Sequence, residues 1–440
     1  MSSFFLNIWA FFFFTLLTAQ VLPTYHQDIK PILEKNCVIC HQKKGNAPFA
    51  LETFEQVKNN GKMIEIVSET GYMPPWRANP HFSRFANERL LSKEDQQKIA
   101  DWVAAKMPQG KKQKAKVVLP KESEPKPDLV LKMPKAYAIA GDNKDKFICY
   151  KIPYELESKK YVKAIHFVPG NKKLVHHASY QVVEVGKNAP IFNEPFSFEY
   201  NMETFDHVDD NRDFKFLGLE DTLSGYMPKV RFHSGWLPGA SPQKYPEGIG
   251  FVLPKRGVLL IRNLHYSATA FPANDQSEIH LWFSEKPVDR TVEFAAFKPR
   301  KFDPIIPKDC VKTYEMTLKI GNDMSLLHIN PHMHKLGSYY RAFVLKPDGD
   351  TLPLIEIKHW DFNWQEFYRF RKITKVPAGS FLNIKATYDN TSKNKHNPNR
   401  PPIDVYFERG NMDDDREEML RTSFIFLPYR QGDEDISLEF

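Results

Sequence analysis

The spacing of apolar residues changes three times along the chain, and each change predicts a different kind of structure. Phe4 to Ala19 is a mostly apolar run of about 16 residues, long enough for the core of an export signal and short for a membrane span. Within Tyr25 to Asn36, Ile29, Ile32 and Leu33 recur at helical spacing, and Ser92-Lys93-Glu94-Asp95 opens a capped helix through Ala105. Residues 24–110 are therefore expected to be small and helical. Lys111 to Asp128 has the Lys, Glu and Pro bias of a linker. Beyond it the period falls to two, in short runs such as Tyr161 to Val168, Ser179 to Val185, Val258 to Leu264, Glu278 to Phe283, Tyr339 to Leu345 and Phe381 to Tyr388. Turn clusters such as Pro238-Gly239, Pro347-Asp348-Gly349 and Pro377-Ala378-Gly379 separate them. Such runs predict sandwich or jelly-roll domains, and about 300 residues suit two of them. Lys298-Pro299-Arg300-Lys301 and Pro304 to Pro307 interrupt the pattern and place the join near residue 300. The expected fold class is multidomain, with an all-α domain at 24–110, a linker at 111–128, and two all-β sandwich (jelly-roll-like) domains at 129–300 and 301–432.

Composition changes this picture in few places. With 34 Phe and 33 Pro against 20 Gly in 440 residues, the chain favours strands ended by turns and extended loops. The formal charge of +7 is modest for this size, and much of the basic excess sits in Lys106 to Lys126, so no nucleic-acid partner is expected. No Lys or Arg precedes the apolar run, and Leu17-Thr18-Ala19 is an imperfect cleavage site. Residues 1–20 are thus read as a signal peptide or as an uncleaved anchor, and only an anchor would bring membrane contact.

The strongest chemical signal is Cys37-Val38-Ile39-Cys40-His41. Two thiols at this spacing form thioethers to the two haem vinyl groups, and the adjacent histidine reaches the iron; this is the pattern of c-type haem attachment. A redox dithiol would not need the histidine. A zinc site would need a second pair of ligands, which residues 42–72 lack. The helical region is accordingly expected to be a small all-α cytochrome c domain with one covalently attached haem c. Bacteria attach haem in this way outside the cytoplasm, so an exported, periplasmic or otherwise extracytoplasmic location is expected. A low-spin electron-transfer haem takes a sixth ligand. Met73, in Gly71-Tyr72-Met73-Pro74-Pro75-Trp76, is the choice, because the prolines forbid helix and hold an extended loop that can aim the sulfur. Met107-Pro108 is the competitor, and Met63 on a helical stretch is read as packing. Cys149 and Cys310 are left either to form one long-range disulfide or to be two unrelated buried thiols.

Histidines then concentrate in separate segments. Val175-His176-His177-Ala178 lies on an expected strand, where adjacent residues point to opposite faces, so this pair shares a metal only if the strand bulges or ends there. His265, in Asn263-Leu264-His265-Tyr266, ends an apolar strand. In His332-Met333-His334-Lys335-Leu336-Gly337 the two histidines are two apart and face one side of a strand. Glu417-Glu418-Met419 follows an acidic turn, where a methionine is ordinarily core. His328 is read as packing behind the site, and His166, His207, His233, His280 and His359 as structural.

Together these segments resemble the copper type II, ascorbate-dependent monooxygenases, the family of peptidylglycine α-hydroxylating monooxygenase and dopamine β-hydroxylase. The resemblance spans about residues 129 to 430. In that family an H-H pair and the histidine of a later H-Y dipeptide bind one copper, which implies His176, His177 and His265 here. An H-x-H pair before Leu-Gly and the methionine of an E-M dipeptide bind the second, which implies His332, His334 and Met419. Asp361 to Gln365 (DFNWQ), Tyr388 to Asn390 (YDN) and the fused haem segment with its M-P-P-W look like bacterial relatives. Ligand chemistry agrees, since imidazole suits copper and a thioether favours Cu(I). The implied activity inserts one oxygen atom from O2 into a C–H bond of a small-molecule substrate, with His332, His334 and Met419 as the catalytic set. Two copper ions and the haem would serve it, with an external electron donor feeding the haem at Cys37, Cys40, His41 and Met73 and the haem feeding the copper at His176, His177 and His265. The peptide-amidating members carry an arginine where Asn330 stands, and an asparagine and a tyrosine where Arg421 and Ser423 stand, so a glycine-extended peptide is an unsuitable substrate. Rival readings are an exported haem and copper protein that only moves charge, and a binding module with incidental histidines.

Overall fold

The computed structural model describes residues 22–43, 45, 47–112, 125–200, 210–298, 305–407 and 417–440. The apolar segment at 1–20 and most of the expected linker lie outside the described residues. Strand makes up 40% of the structure and helix 12%. That balance overturns the expected fold class, a small all-α cytochrome c domain followed by two all-β sandwich (jelly-roll-like) domains.

The helices near the N-terminus are short: a π-helical turn Tyr25–Ile29 running into Lys30–Asn36, then Phe54–Asn59, Gly61–Glu69 and Lys93–Ala104. Their starts were legible. Ser92 accepts a hydrogen bond from Asp95 N–H, and Thr53 forms a capping box with Gln56. Tyr25, Ile29, Leu33, Val57, Ile99 and Trp102 close a small core of their own. The intervening stretch does not stay with them. Trp76, Ala78 and Phe85 join the main hydrophobic core, Ala78 and Phe85 bridge to Ile357 and Phe370, and Arg77 pairs with Asp361 at 2.9 Å. Burying Trp76 and Phe85 in this way contributes about 2–3 kcal/mol each. Aromatic residues flanked by prolines found more apolar surface on the neighbouring sheet than on the short helices, and this is why the helical part is not a separate domain.

The β region begins with a five-stranded antiparallel sheet in the order Ser197–Glu199, Lys146–Glu155, Arg256–Tyr266, Val175–Glu184, Lys229–Trp236. Its central strand is an apolar run because both faces are covered. Leu259 and Ile261 enter the main core, while Val258 and Leu260 pack with Cys149, Val183 and Leu217 in a second one. A sheet built on Leu129–Lys132, Glu278–Phe283, Lys160–Val168 and Ile249–Leu253 accompanies it. The C-terminal part has two four-stranded sheets. One orders Glu293–Phe297, Arg421–Pro428, Met324–His332 and Tyr368–Val376, and the other Val311–Lys319, Phe381–Asp389, Gly337–Leu345 and Thr351–Ile357. Phe381–Asp389 alternates between exposed and buried positions as its sequence predicts.

Two boundaries move. Arg290–Thr291 pairs with Ile249–Leu253, but Glu293–Phe297 already belongs to the C-terminal sheet, so the crossover falls at Val292 and not at residue 300. The main core runs without a break from Trp76 to Leu438 and joins all the large sheets. Cys149 and Cys310 are both free, which removes the disulfide alternative. Cys149 is sealed in the second core, and Cys310 precedes Val311–Lys319 on a different sheet. Among the described residues no helix is long and apolar enough to cross a membrane.

Candidate metal centre

His176, His177 and His265 come together because two strands are irregular at the same place. Along Arg256–Tyr266 and Val175–Glu184 the pairing shifts between Arg262 and His265, and again between His265 and Tyr266. His265 pairs with His177 and Tyr266 with Val175, which leaves His176 as the extra residue of a bulge. Asn263 takes a φ of 47°, a left-handed conformation that asparagine tolerates better than most residues. The bulge required by the adjacent histidines is therefore present. One ligand nitrogen from each of the three lies within 4.8 Å of the others. Ring centroids are 4.9 Å apart for His176 and His265 and for His177 and His265.

The three rings suit a cation. Burial, and next the neighbouring His265, push His176 down to about 4, and the same causes hold His177 well below the usual histidine range. Both are neutral at neutral pH and keep a lone pair for a metal. His265 stacks on Phe147 at 4.3 Å, and its Nε2 lies 3.3 Å from Asp145 Oδ1. Neither buried ring nitrogen of His265 makes a well-formed hydrogen bond. Its Nδ1 has no partner and its Nε2 only this long contact with Asp145, and a buried nitrogen so placed is costly unless something coordinates it, so the donor set fits the implied copper.

The second set is assembled differently from the expectation. The strand Met324–His332 ends at His332, and His334 lies in the following turn, so pleat alternation does not align the pair. Buried Met333 points away between them, and the two rings stand 5.2 Å apart, nearly perpendicular. His332 Nδ1 bonds to the side-chain oxygen of Gln365, and His334 Nδ1 lies 3.2 Å from the Glu417 carbonyl. Each contact settles which ring nitrogen remains for a ligand. Burial lowers His332 to about 3 and His334 to about 4. Met419 follows Glu417–Glu418, and its carbonyl accepts from Tyr388 O–H at 2.8 Å. Beside it the carboxylate of Glu418 is buried, and burial raises it to about 7 against three backbone N–H bonds that lower it.

His176 and His177 of the first set and all three residues of the second open onto one cavity of about 550 Å³, and His265 is not among its lining residues. His176 and His177 line it from the N-terminal β region, and His332, His334 and Met419 from the C-terminal one. Trp236, Phe294, Phe362 and Phe367 contribute apolar wall. His233, read from sequence as structural, also lines the cavity, with its ring 4.1 Å from Phe294, and burial lowers it to about 3. Nothing in its local sequence distinguished it. Gln365 and Glu418 lie in the DFNWQ and Glu-Glu-Met segments already singled out, but their roles were hidden there, because Gln365 meets His332 33 residues away and Glu418 meets His334 84 residues away. His328 is buried as expected, His280 pairs with Glu278 at 3.0 Å, and His207 lies outside the described residues.

The Cys37–His41 segment follows the helix Lys30–Asn36, with both thiols free and half-buried. Burial pushes Cys37 up to about 11 and raises Cys40 against the opposing charge of Arg89. His41 Nδ1 lies 3.0 Å from the Phe49 carbonyl, which leaves Nε2 available to iron, and burial lowers its proton affinity. These features fit the implied haem. Met73 is half-buried, with its N–H on the Val67 carbonyl at 2.9 Å. Met107 packs its sulfur against Gly61 beside Trp102, and Met63 is exposed where packing was expected. Gly239 gives Cys40 its neighbour: a Cβ there would lie 3.3 Å from Cys40 Sγ. Arg89 reaches the Gly239 carbonyl at 3.3 Å and also pairs with Glu366. The haem motif thus abuts the loop whose Leu237 lines the cavity.

No family model matches the chain, and no curated protein matches it. Solved structures give remote likenesses only. The major capsid protein P2 of bacteriophage PM2 is 10% identical, over 69% of this chain and 99% of its own, at a TM-score of 0.25. The PBCV-1 virus capsid is 8% identical, over 67% and 97%, at 0.22, and the infectious bursal disease virus VP2 particle 8%, over 70% and 73%, at 0.18. At such scores the likeness argues nothing about function.

Proposed function

We propose that this chain is an exported copper monooxygenase of the type II, ascorbate-dependent kind, acting on a small molecule and carrying its own covalently attached haem. One observation carries the reading: His176 and His177 of a three-histidine cluster, and His332, His334 and Met419 from a different sheet and its neighbouring segment, line the same cavity. His176, His177 and His265 would hold one copper, His332, His334 and Met419 the other, and Cys37, Cys40, His41 and Met73 the haem. Copper so held supplies one-electron chemistry towards O2, with the thioether favouring Cu(I), and the haem supplies electrons from an external donor.

The remaining work falls to the protein. Phe147, Gln365 and the Glu417 carbonyl fix the orientation of His265, His332 and His334, so a substrate meets ligands already in place. Trp236, Phe294, Phe362 and Phe367 exclude water and pack an apolar body. Asn330, standing where peptide-amidating relatives carry arginine, donates to the Glu366 carbonyl at 2.8 Å and offers no cation to a substrate carboxylate. Lys298 and Arg421 also line the cavity, so its cations stand elsewhere than the arginine that the amidating relatives use, and a glycine-extended peptide is not the expected substrate. The test is transfer of 18O from labelled O2 into products of a broad small-molecule panel, with Met419→Ala as control. A copper-loaded, reducible protein that labels nothing would leave a charge carrier in place of an oxygenase.

A further inference from the structure

The methionine ligand and the histidine pair come from segments 84 residues apart, and one side chain joins them. Glu418 Oε2 accepts from the backbone N–H of His334 at 2.8 Å and of Met419 at 3.0 Å, and its Oε1 accepts from Leu336 N–H at 2.7 Å. The residue is 1% exposed. Both oxygens are committed to backbone donors, so the carboxylate is a clamp and not a fourth ligand. The turn after His332 has left its sheet; Trp360 Nε1–H reaches its His334 carbonyl at 3.2 Å and Asp389 N–H its Leu336 carbonyl at 2.8 Å, while its His334 and Leu336 N–H groups go to Glu418. A carboxylate has lone pairs enough to take three donors, whereas a glutamine amide has one acceptor oxygen and would turn N–H donors against N–H donors. Charge-assisted bonds of this kind are also about twice as strong as neutral ones.

We propose that Glu418 is the positioning residue that assembles the His332/His334/Met419 site, setting the reach of His334 and Met419 towards one ion. This rests on the copper reading above. It assigns Glu418 no contact with substrate or metal. The outcome it predicts is selective: damage at Glu418 empties this site and leaves the His176/His177/His265 site filled.

The experiment titrates the full-length, haem-loaded protein with Cu(I) against a chelator of known affinity and records X-ray absorption for the copper–sulfur contribution of Met419. Wild type is expected to bind two coppers with a sulfur signal. Glu418→Gln is expected to keep one tight copper, to lose affinity for the other by roughly 10–100-fold, and to lose the sulfur signal. Full binding at both sites with the sulfur signal intact in Glu418→Gln overturns the proposal while leaving the copper reading standing. A wild type that binds no copper at the methionine site overturns both. Should Glu418→Gln lose both coppers through misfolding, Glu418→Asp decides, because it keeps the charge with a shorter reach. Selective weakening at the methionine site then supports the clamp, and unchanged binding at both sites overturns it.

Discussion

Asp213→Ala should be among the most damaging substitutions outside the ligand sets. Asp213 is fully buried and bonds Arg262, whose side chain is 6% exposed, and Tyr200 O–H lies 3.2 Å from the same carboxylate. Arg262 is the last regularly paired residue before the bulge that brings His265 to His177, and its carbonyl accepts from Ser179 Oγ at 2.9 Å. Removing the carboxylate strips a buried guanidinium of its buried counter-charge, which costs about 3–5 kcal/mol. For a β region of about 300 residues that corresponds to a fall in melting temperature of about 5–8 °C. Glu247→Ala is the matched control, since its pair with Lys286 is almost wholly exposed and such pairs contribute about 0–1 kcal/mol. Calorimetry compares the two, and metal titration of Asp213→Ala at a temperature where it is folded should show weakened binding at the three-histidine site. Joint replacement by Asp213→Leu and Arg262→Met should recover most of the loss, because an apolar pair has no charge to strand. If Asp213→Ala melts within a degree or two of Glu247→Ala, the claim that this pair holds the bulge is wrong.

Lys151 is buried with its Nζ on the Leu217 carbonyl, and burial lowers it from 10.5 to about 8. Between those values the unfolded chain binds more protons than the folded one, so this group makes the protein more stable as pH rises from about 8 to 10.5, by about 3 kcal/mol. Below that window the charged form is carried at a cost, so Lys151→Met should stabilise the protein near pH 7 and flatten the difference profile; parallel profiles for the two chains would contradict this. Gly257→Ala would set a Cβ 2.4 Å from the Val183 carbonyl of the paired strand and 2.7 Å from Tyr154 O–H, so denaturant melts should show a loss of about 1–3 kcal/mol. A wild-type melt for that variant would mean the central strand yields more easily than its buried surroundings imply. Replacing both Cys37 and Cys40 by alanine should abolish haem staining on denaturing gels of exported protein, and persistent staining would place the covalent attachment elsewhere.

Local patterns were read correctly where the physics is local. Ser92 and the run after it specify a capped helix because the cap and its donor are three residues apart. Strands such as Phe381–Asp389 announce themselves because a pleat repeats every two residues. The helical segment was misjudged as a domain because a hydrophobic pattern shows that Trp76 and Phe85 will be buried and not against what.

The sequence by itself supplied the candidate ligands and the condition that the strand bulge or end at His176-His177, since neighbouring pleated residues point to opposite faces. Only the tertiary structure decided that the bulge exists, that His334 sits in a turn, that His176 and His177 line one cavity with His332, His334 and Met419, and that Glu418 and Gln365 bond to the second set while Asp213 bonds to Arg262 beside the bulge. The physical reason is range. Residue type and period act over a few positions, while pairing register and packing bring together segments dozens of residues apart through contacts that leave no local trace.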